Sequence, residues 1–250
     1  LTNKEYDVLL MCQAFARHLL GEQLYEEATK ALEKHRTLES SGKGFSSGNI
    51  ASFMPGTIDY TPHEGCMRKL LQALDENLVC RVTYRGLGAK KAKKFNIMPL
   101  KMFSHHETVY LNARWANGEH NKKDPSRYDP LLAVHRIKGI ELTDERFEYP
   151  KNYDFEKIYN MHFGIMSDEK FEVVAEFNEE AAAYVAERTW SPDQKITKHG
   201  SDGIRITFSA SSEPELISWI LSFGDKAKLI EPKELAKQVK AIAENVCRAY

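Results

Sequence analysis

Apolar side chains recur at helical spacing along residues 1–38. Thr2 followed by Glu5 is a capping-box arrangement, and Tyr6, Leu9, Leu10 and Gln13 then fall near one face of a helix that Gly21 ends. Leu24, Ala28, Ala31, His35 and Leu38 give the same one-sided character to a second helix from Glu22 to about Leu38, so this segment predicts a helical hairpin. The periodicity stops in residues 39–62, which are rich in Ser and Gly, contain Pro55 and Pro62, and predict an exposed connector. Leu70, Leu71 and Leu74 mark the apolar side of a short helix over 64–76. From Leu78 the spacing changes to that of strands, over about 78–85, 94–103, 107–114, 130–136 and 139–149. Beyond Tyr153 helix and strand alternate. A helix over 154–161 is followed by a strand over 171–177 that turns Phe171, Val173, Ala175 and Phe177 inward. A helix over 179–187, a strand over 204–208, a helix capped by Ser212 that runs to Phe223, and a short strand at Leu229-Ile230 come next. Pro232 then stands in the first turn of a long final helix, where its missing N–H costs nothing.

This order predicts an α+β protein in three parts: a helical connector and linker over 1–62, a small β-barrel over 63–150, and an α+β module, ferredoxin-like, over 151–250. Barrels of short antiparallel strands remove the sheet edges that invite aggregation, and a capping helix is a common companion. A chain of 250 residues is long enough to bury a core in each of two domains.

The formal net charge of −1 conceals an uneven distribution. Residues 78–150 carry 14 Lys and Arg against 8 Asp and Glu, whereas 1–77 carry 8 against 11 and 151–250 carry 13 against 17. Positive charge is therefore concentrated on the strands, which suits an anionic ligand. No apolar run reaches the roughly 18 residues of a membrane span. Cys12, Cys66, Cys80 and Cys247 have no C-x-x-C spacing, so reduced thiols are expected rather than a disulfide framework or a thiolate metal site. Gly42, Gly44 and Gly48 lack the G-K-[ST] ending of a phosphate loop. No G-x-S-x-G elbow is present, and the adjacent His105 and His106 would point to opposite faces of a strand. No metal, cofactor or catalytic residue is expected.

Several strand residues are candidates for binding. Arg136 follows Leu132 and Val134 in alternation, so on a regular strand it shares their face and needs a partner, either a structural carboxylate or a ligand phosphate or carboxylate. His135 would then point the other way. Tyr110 and Asn112 share a face opposite Leu111 and Ala113, offering a stacking ring, a donor and an acceptor to a nucleobase or sugar; the alternative is that Tyr110 fills the barrel's other layer. Lys94 begins a strand, whereas Lys90 and Lys91 fit a solvated hairpin loop. Trp115, Trp190 and Trp219 fit core or interface packing.

The succession of Tyr84, Lys94 ahead of Pro99-Leu100, Val109-Tyr110-Leu111 and Val134-His135-Arg136-Ile137 resembles the WYL domain, the ligand-sensing module of many bacterial transcriptional regulators. Val109 stands where Trp is common in that family, and Phe95 where an Arg is common. The run from Glu215 to Gly224, followed by Ala227 and Pro232, is similar to the family's C-terminal extension. The resemblance implies an Sm-like or SH3-like barrel and a ligand site built from Tyr84, Lys94, Tyr110, Asn112, Arg114, His135 and Arg136. It implies a nucleotide or single-stranded nucleic-acid ligand, a cytoplasmic homodimer, and operator DNA bound through a winged helix-turn-helix ahead of Leu1. A nucleic-acid-binding module without such a head is the alternative. In the first case residues 1–38 look like the helical connector that follows such a DNA-reading domain.

Overall fold

The first helix starts where the sequence caps it. In the computed structural model, which describes residues 2–38, 50–116, 129–160, 163–165 and 170–250, the Thr2 hydroxyl accepts from Glu5 N–H at 3.4 Å and the Glu5 carboxylate accepts from Thr2 N–H at 2.7 Å. Helix α1 then runs Asn3–Ala16, and α2 runs Glu22–Leu38. Tyr6, Leu10, Gln13 and Ala14 are buried, but Leu9 is 40% exposed because it sits at the margin of that stripe. Gln13 donates through Nε2 to Tyr25 O and to Thr29 Oγ1, which satisfies its amide inside the hairpin. A 3-10 turn, Arg17–Leu19, follows α1, so Gly21 does not end that helix and instead immediately precedes α2. The side chains of His35 and Leu38, the glycines at 42, 44 and 48, and Met161 lie outside the described residues.

Helix α3, Glu64–Glu76, closes on Asn77 in the left-handed conformation (φ 53°) and leads directly into β1, Leu78–Tyr84. It buries Met67, Leu70 and Ala73, while Leu71, expected on the apolar side, is 48% exposed. The remaining strands of the first unit (residues 1–151) are β2 (Lys93–His105), β3 (Thr108–Trp115), β4 (Leu131–Ala133) and β5 (Ile137–Arg146). They form one antiparallel sheet in the order β4-β3-β2-β1-β5.

The expected closed barrel is not formed. Strands β4 and β5 occupy opposite edges of the sheet, yet only the 3-10 turn Val134–Arg136 joins them. Edges of a flat five-stranded sheet would lie about 19 Å apart at ~4.8 Å per spacing, whereas three 3-10 residues span only ~6 Å. The sheet must therefore curl until its edges approach. Where a barrel would have a ladder, Ala133 N–H of β4 donates to the Tyr84 hydroxyl at 3.3 Å, while Arg85 N–H to Arg136 O at 3.2 Å carries the β1–β5 pairing one step beyond Tyr84 and Ile137. The expected strand over 130–136 is thus β4 plus a turn, and the alternation that would align Arg136 with Leu132 and Val134 does not apply. The core inside the curl contains Leu70, Cys80, Val82, Ile97, Leu111 and Val134 at 0% exposure. Tyr60, expected in an exposed connector, belongs to this core at 1%.

The second unit, residues 152–250, contains β6 (Phe171–Phe177), α4 (Glu179–Ala186), β7 (Lys195–His199), β8 (Gly203–Ala210), α5 (Glu213–Ser222), β9 (Ala227–Glu231) and α6 (Lys233–Ala249). Its antiparallel sheet is ordered β7-β8-β6-β9, the βαββαβ arrangement of a ferredoxin-like fold. Val173, Ala175 and Phe177 face inward as their alternation requires. Strand β7 is absent from the sequence reading because Ile196 is its single apolar residue and it lies at the sheet edge. Ser212 holds the N-cap position of α5 without a capping bond from its side chain. Residues 156–160 adopt a π-helical turn within the helix expected there. Trp219 is enclosed by Phe163, Phe177, Trp190, Phe208 and Phe223 at centroid distances of 4.9–5.7 Å, so Trp219 and Phe223 pack in this unit's own core. Among the described residues no helix is long and apolar enough to cross a membrane.

Candidate functional site

The residues selected from sequence fall in two places. Tyr110, Asn112 and Arg114 alternate with the buried Val109, Leu111 and Ala113, so they lie on the sheet face opposite the core. The Tyr110 ring stacks on Phe103 across the β2–β3 pair, with centroids 5.9 Å apart and planes 27° apart, which covers one of its faces. Asn112 is 1% exposed. Arg114 Nε donates to Asp129 Oδ2 at 3.3 Å, a structural pairing; burial pushes Asp129 above the ordinary carboxylate range against the opposing pull of Arg114. This face therefore has little free hydrogen-bonding or stacking capacity at Tyr110 and Arg114.

The second place is the junction of the curled edges. Here Tyr84 ends β1, Arg85 follows, and Val134–Arg136 carry His135 and Arg136. Cross-strand register sets Lys93 opposite Tyr84 and Lys94 opposite Thr83, so the start of β2 belongs to the same end of the sheet. Lys94 is nine residues from Phe103, the partner of Tyr110, or up to ~30 Å along the strand. Lys94 and Tyr110 thus do not share one site.

At this junction the Tyr84 ring packs edge-on to Phe95 (6.5 Å), and Phe95 in turn to Trp115 (4.9 Å). The Tyr84 hydroxyl is engaged by Ala133 N–H, which leaves this tyrosine a structural role across the gap. Arg136 is half-buried, and its guanidinium makes no hydrogen bond or ion pair with the described residues. Arg85 and Lys138 flank it in exposed positions. His135 faces inward to Tyr60 and His63, the three rings meeting edge-on with centroids 6.3, 6.4 and 6.5 Å apart. Its Nδ1 is buried without a hydrogen-bond partner among the described residues. Burial, then the charges of Arg136, His63 and Lys138, lower the pKa of His135. Burial and Lys138 lower that of His63 against the pull of Asp59. At neutral pH the junction is a cationic rim of Arg85, Arg136 and Lys138 over two uncharged imidazoles.

Tyr60, His63, Arg85 and Lys138 were missed in the sequence reading. Tyr60 and His63 lie just after a Gly- and Pro-containing stretch with no strand or helix periodicity, so no local pattern marks them. Arg85 and Lys138 are found only by their neighbours across the curl, although the excess of Lys and Arg in residues 78–150 pointed to this region.

Comparison with known proteins places families on both units. The WYL domain family matches residues 65–142 and the WCX domain family residues 169–246. No curated protein matches. Among solved structures, proteasome accessory factor B/C (PafBC) of Arthrobacter aurescens is similar over 96% of this chain and 35% of its own, at 15% identity and a TM-score of 0.34. A CRISPR Cas-related protein is similar over 76% of this chain and 52% of its own, at 12% identity and a TM-score of 0.50, a likeness of fold. The chain thus spans about a third and about half of the lengths of these two proteins. The chain joins a WYL domain, matched on the unit with the curled sheet, to a WCX domain, matched on the ferredoxin-like unit, consistent with the family of WYL-domain regulators.

Proposed function

We propose that this chain is the ligand-sensing and dimerising portion of a bacterial DNA-binding transcriptional regulator, and that its ligand is anionic, a nucleotide or a single-stranded nucleic acid. The observation that carries the reading is Arg136, a half-buried guanidinium with no carboxylate partner among the described residues, set between Arg85 and Lys138. A guanidinium fork in such a position suits a phosphate, and the flanking cations add attraction that salt will screen. The WYL match over the same residues supports the sensing role. In this reading the protein binds and signals, without turning a substrate over. The DNA-reading domain would precede α1, and ligand affinity must differ between two arrangements of the dimer for binding to alter DNA recognition.

Dimerisation is supported by α6. Leu235, Val239, Ile242 and Val246 follow one another at steps of four, three and four, a heptad-type stripe. Its first part is buried in its own unit, with Leu235 at 3%, while Ile242 and Val246 are 36% and 53% exposed. The flanking Ala236, Gln238, Ala243 and Asn245 carry no charge, so a second copy meets no like-charge repulsion there.

Fluorescence anisotropy with labelled oligothymidylate and with nucleotides tests the site. Arg136→Ala should weaken binding by ~1.5–3 kcal/mol, about one to two decades. Lys90→Ala should change little beyond the salt slope. Equal affinity of wild type and Arg136→Ala for every anion tried removes the site.

A further inference from the structure

Between the candidate site and the helical hairpin runs the short segment 60–64, and it is held at both ends. On the site side, Tyr60 and His63 lie edge-on to His135, and the Tyr60 hydroxyl accepts from Val109 N–H at 2.6 Å. On the hairpin side, Glu64 is only 4% exposed, and its Oε1 accepts from Gln23 N–H, in the first turn of α2, at 2.7 Å. Thr61 Oγ1 accepts from Glu22 N–H at 3.4 Å.

The first turn of a helix has N–H groups without intrahelical partners and a partial positive charge, normally met by a capping side chain from the preceding residue. Before α2 that residue is Gly21, which has no side chain to offer. A Cβ on Gly21 would lie 2.1 Å from Glu64 Oε1 and 2.2 Å from its Cγ, so the carboxylate fills the space a local cap would need. The cap of α2 is therefore supplied from α3, by the residue next to His63. Leu19 and Leu24 pack against the sheet core, and Arg68 pairs with Glu27 at 2.6 Å, so the start of α2 is seated on this unit.

We propose that Glu64 is a positioning residue that couples the Val134–Arg136 turn to α2: displacement of His135 when an anion binds moves His63, and with it the cap on α2. The proposal deepens the functional reading above and rests on its assignment of the turn as the anion site. The hairpin is the element that reports occupancy, because the bond from Gln23 N–H is short and its acceptor is one buried side chain.

Hydrogen exchange on the full chain, read at the start of α2, tests this in two arms. Without ligand, Glu64→Ala should speed exchange at Gln23 about fivefold, the worth of a typical cap, and His135→Ala about threefold. The double variant should be no faster than Glu64→Ala alone. Additive effects, or no effect of His135→Ala, overturn the coupling whatever the ligand. In the second arm inorganic pyrophosphate and a short oligothymidylate are added to wild type and to Glu64→Ala. Both proteins should bind, and only wild type should change its α2 exchange. Binding to wild type without any change in α2 overturns the coupling. If neither probe binds, the anion-site reading fails, and the ligand-free arm still decides whether the turn and α2 are joined.

Discussion

Replacing Tyr60 by Phe removes one oxygen atom from the centre of the first unit. The ring stays, and with it the edge contacts to His63 and His135. What is lost is the acceptor for Val109 N–H, a 2.6 Å bond between a residue 1% exposed and one 5% exposed. A buried donor left without a partner costs ~1–3 kcal/mol, more than the ~1 kcal/mol net worth of an average hydrogen bond. In a unit of about 150 residues each kcal/mol lowers the melting temperature by about 2–4 °C, so Tyr60→Phe should melt roughly 2–12 °C below wild type. Tyr84→Phe is the control. Its hydroxyl accepts from Ala133 N–H at 3.3 Å, a longer and weaker bond than the 2.6 Å one from Val109 N–H, so its loss should cost less. Thermal unfolding followed by circular dichroism measures both. A Tyr60→Phe midpoint indistinguishable from wild type, or a larger loss in Tyr84→Phe, would refute the claim that Val109 N–H depends on this hydroxyl.

The histidine pair gives a pH dependence of definite sign. His63 and His135 have pKa values below their ordinary 6.5 when folded, so the unfolded chain binds more protons as the pH falls through that value. Stability should therefore decrease below about pH 6.5, and His63→Gln with His135→Gln should flatten that slope in denaturant titrations. At α6, Ile242→Glu and Val246→Glu should convert the proposed dimer to a monomer by light scattering, with circular dichroism still reporting a folded second unit. Trp219→Ala should instead destabilise the second unit by ~3–5 kcal/mol, because the indole fills its aromatic core.

The parts of the fold legible in the sequence were those with a strong local period. Helices α1, α2, α3 and α6, and the inward alternation of Phe171 to Phe177, are written in spacings that 3.6- and 2-residue repeats enforce. Strand β7 was hidden because an edge strand needs few apolar residues, and Leu71 was misassigned because Met67 and Ala73, rather than Leu71, complete the buried stripe of α3. At the candidate site, the sequence singles out Arg136 and His135 on the assumption that residues 130–136 continue as a strand. A three-residue turn breaks the alternation and separates them from the face of Tyr110. Glu64 illustrates the harder case. Its partner lies 41 positions away, and neither residue shows a periodic or compositional cue to the contact.

The unclosed sheet has a mechanical consequence. A complete barrel is a hoop whose circumference is fixed by continuous ladders, so widening it at any point breaks several backbone bonds together. This sheet is instead a split ring, its edge strands joined by the Val134–Arg136 turn and, among the described residues, braced there by the bond from Ala133 N–H to the Tyr84 hydroxyl. Widening such a gap costs roughly the ~0.5–1.5 kcal/mol of that bond rather than a strand's worth of pairing. The candidate anion-binding residues lie at that gap, the most compliant place in the ring, where a modest interaction energy can alter the curvature of the whole sheet.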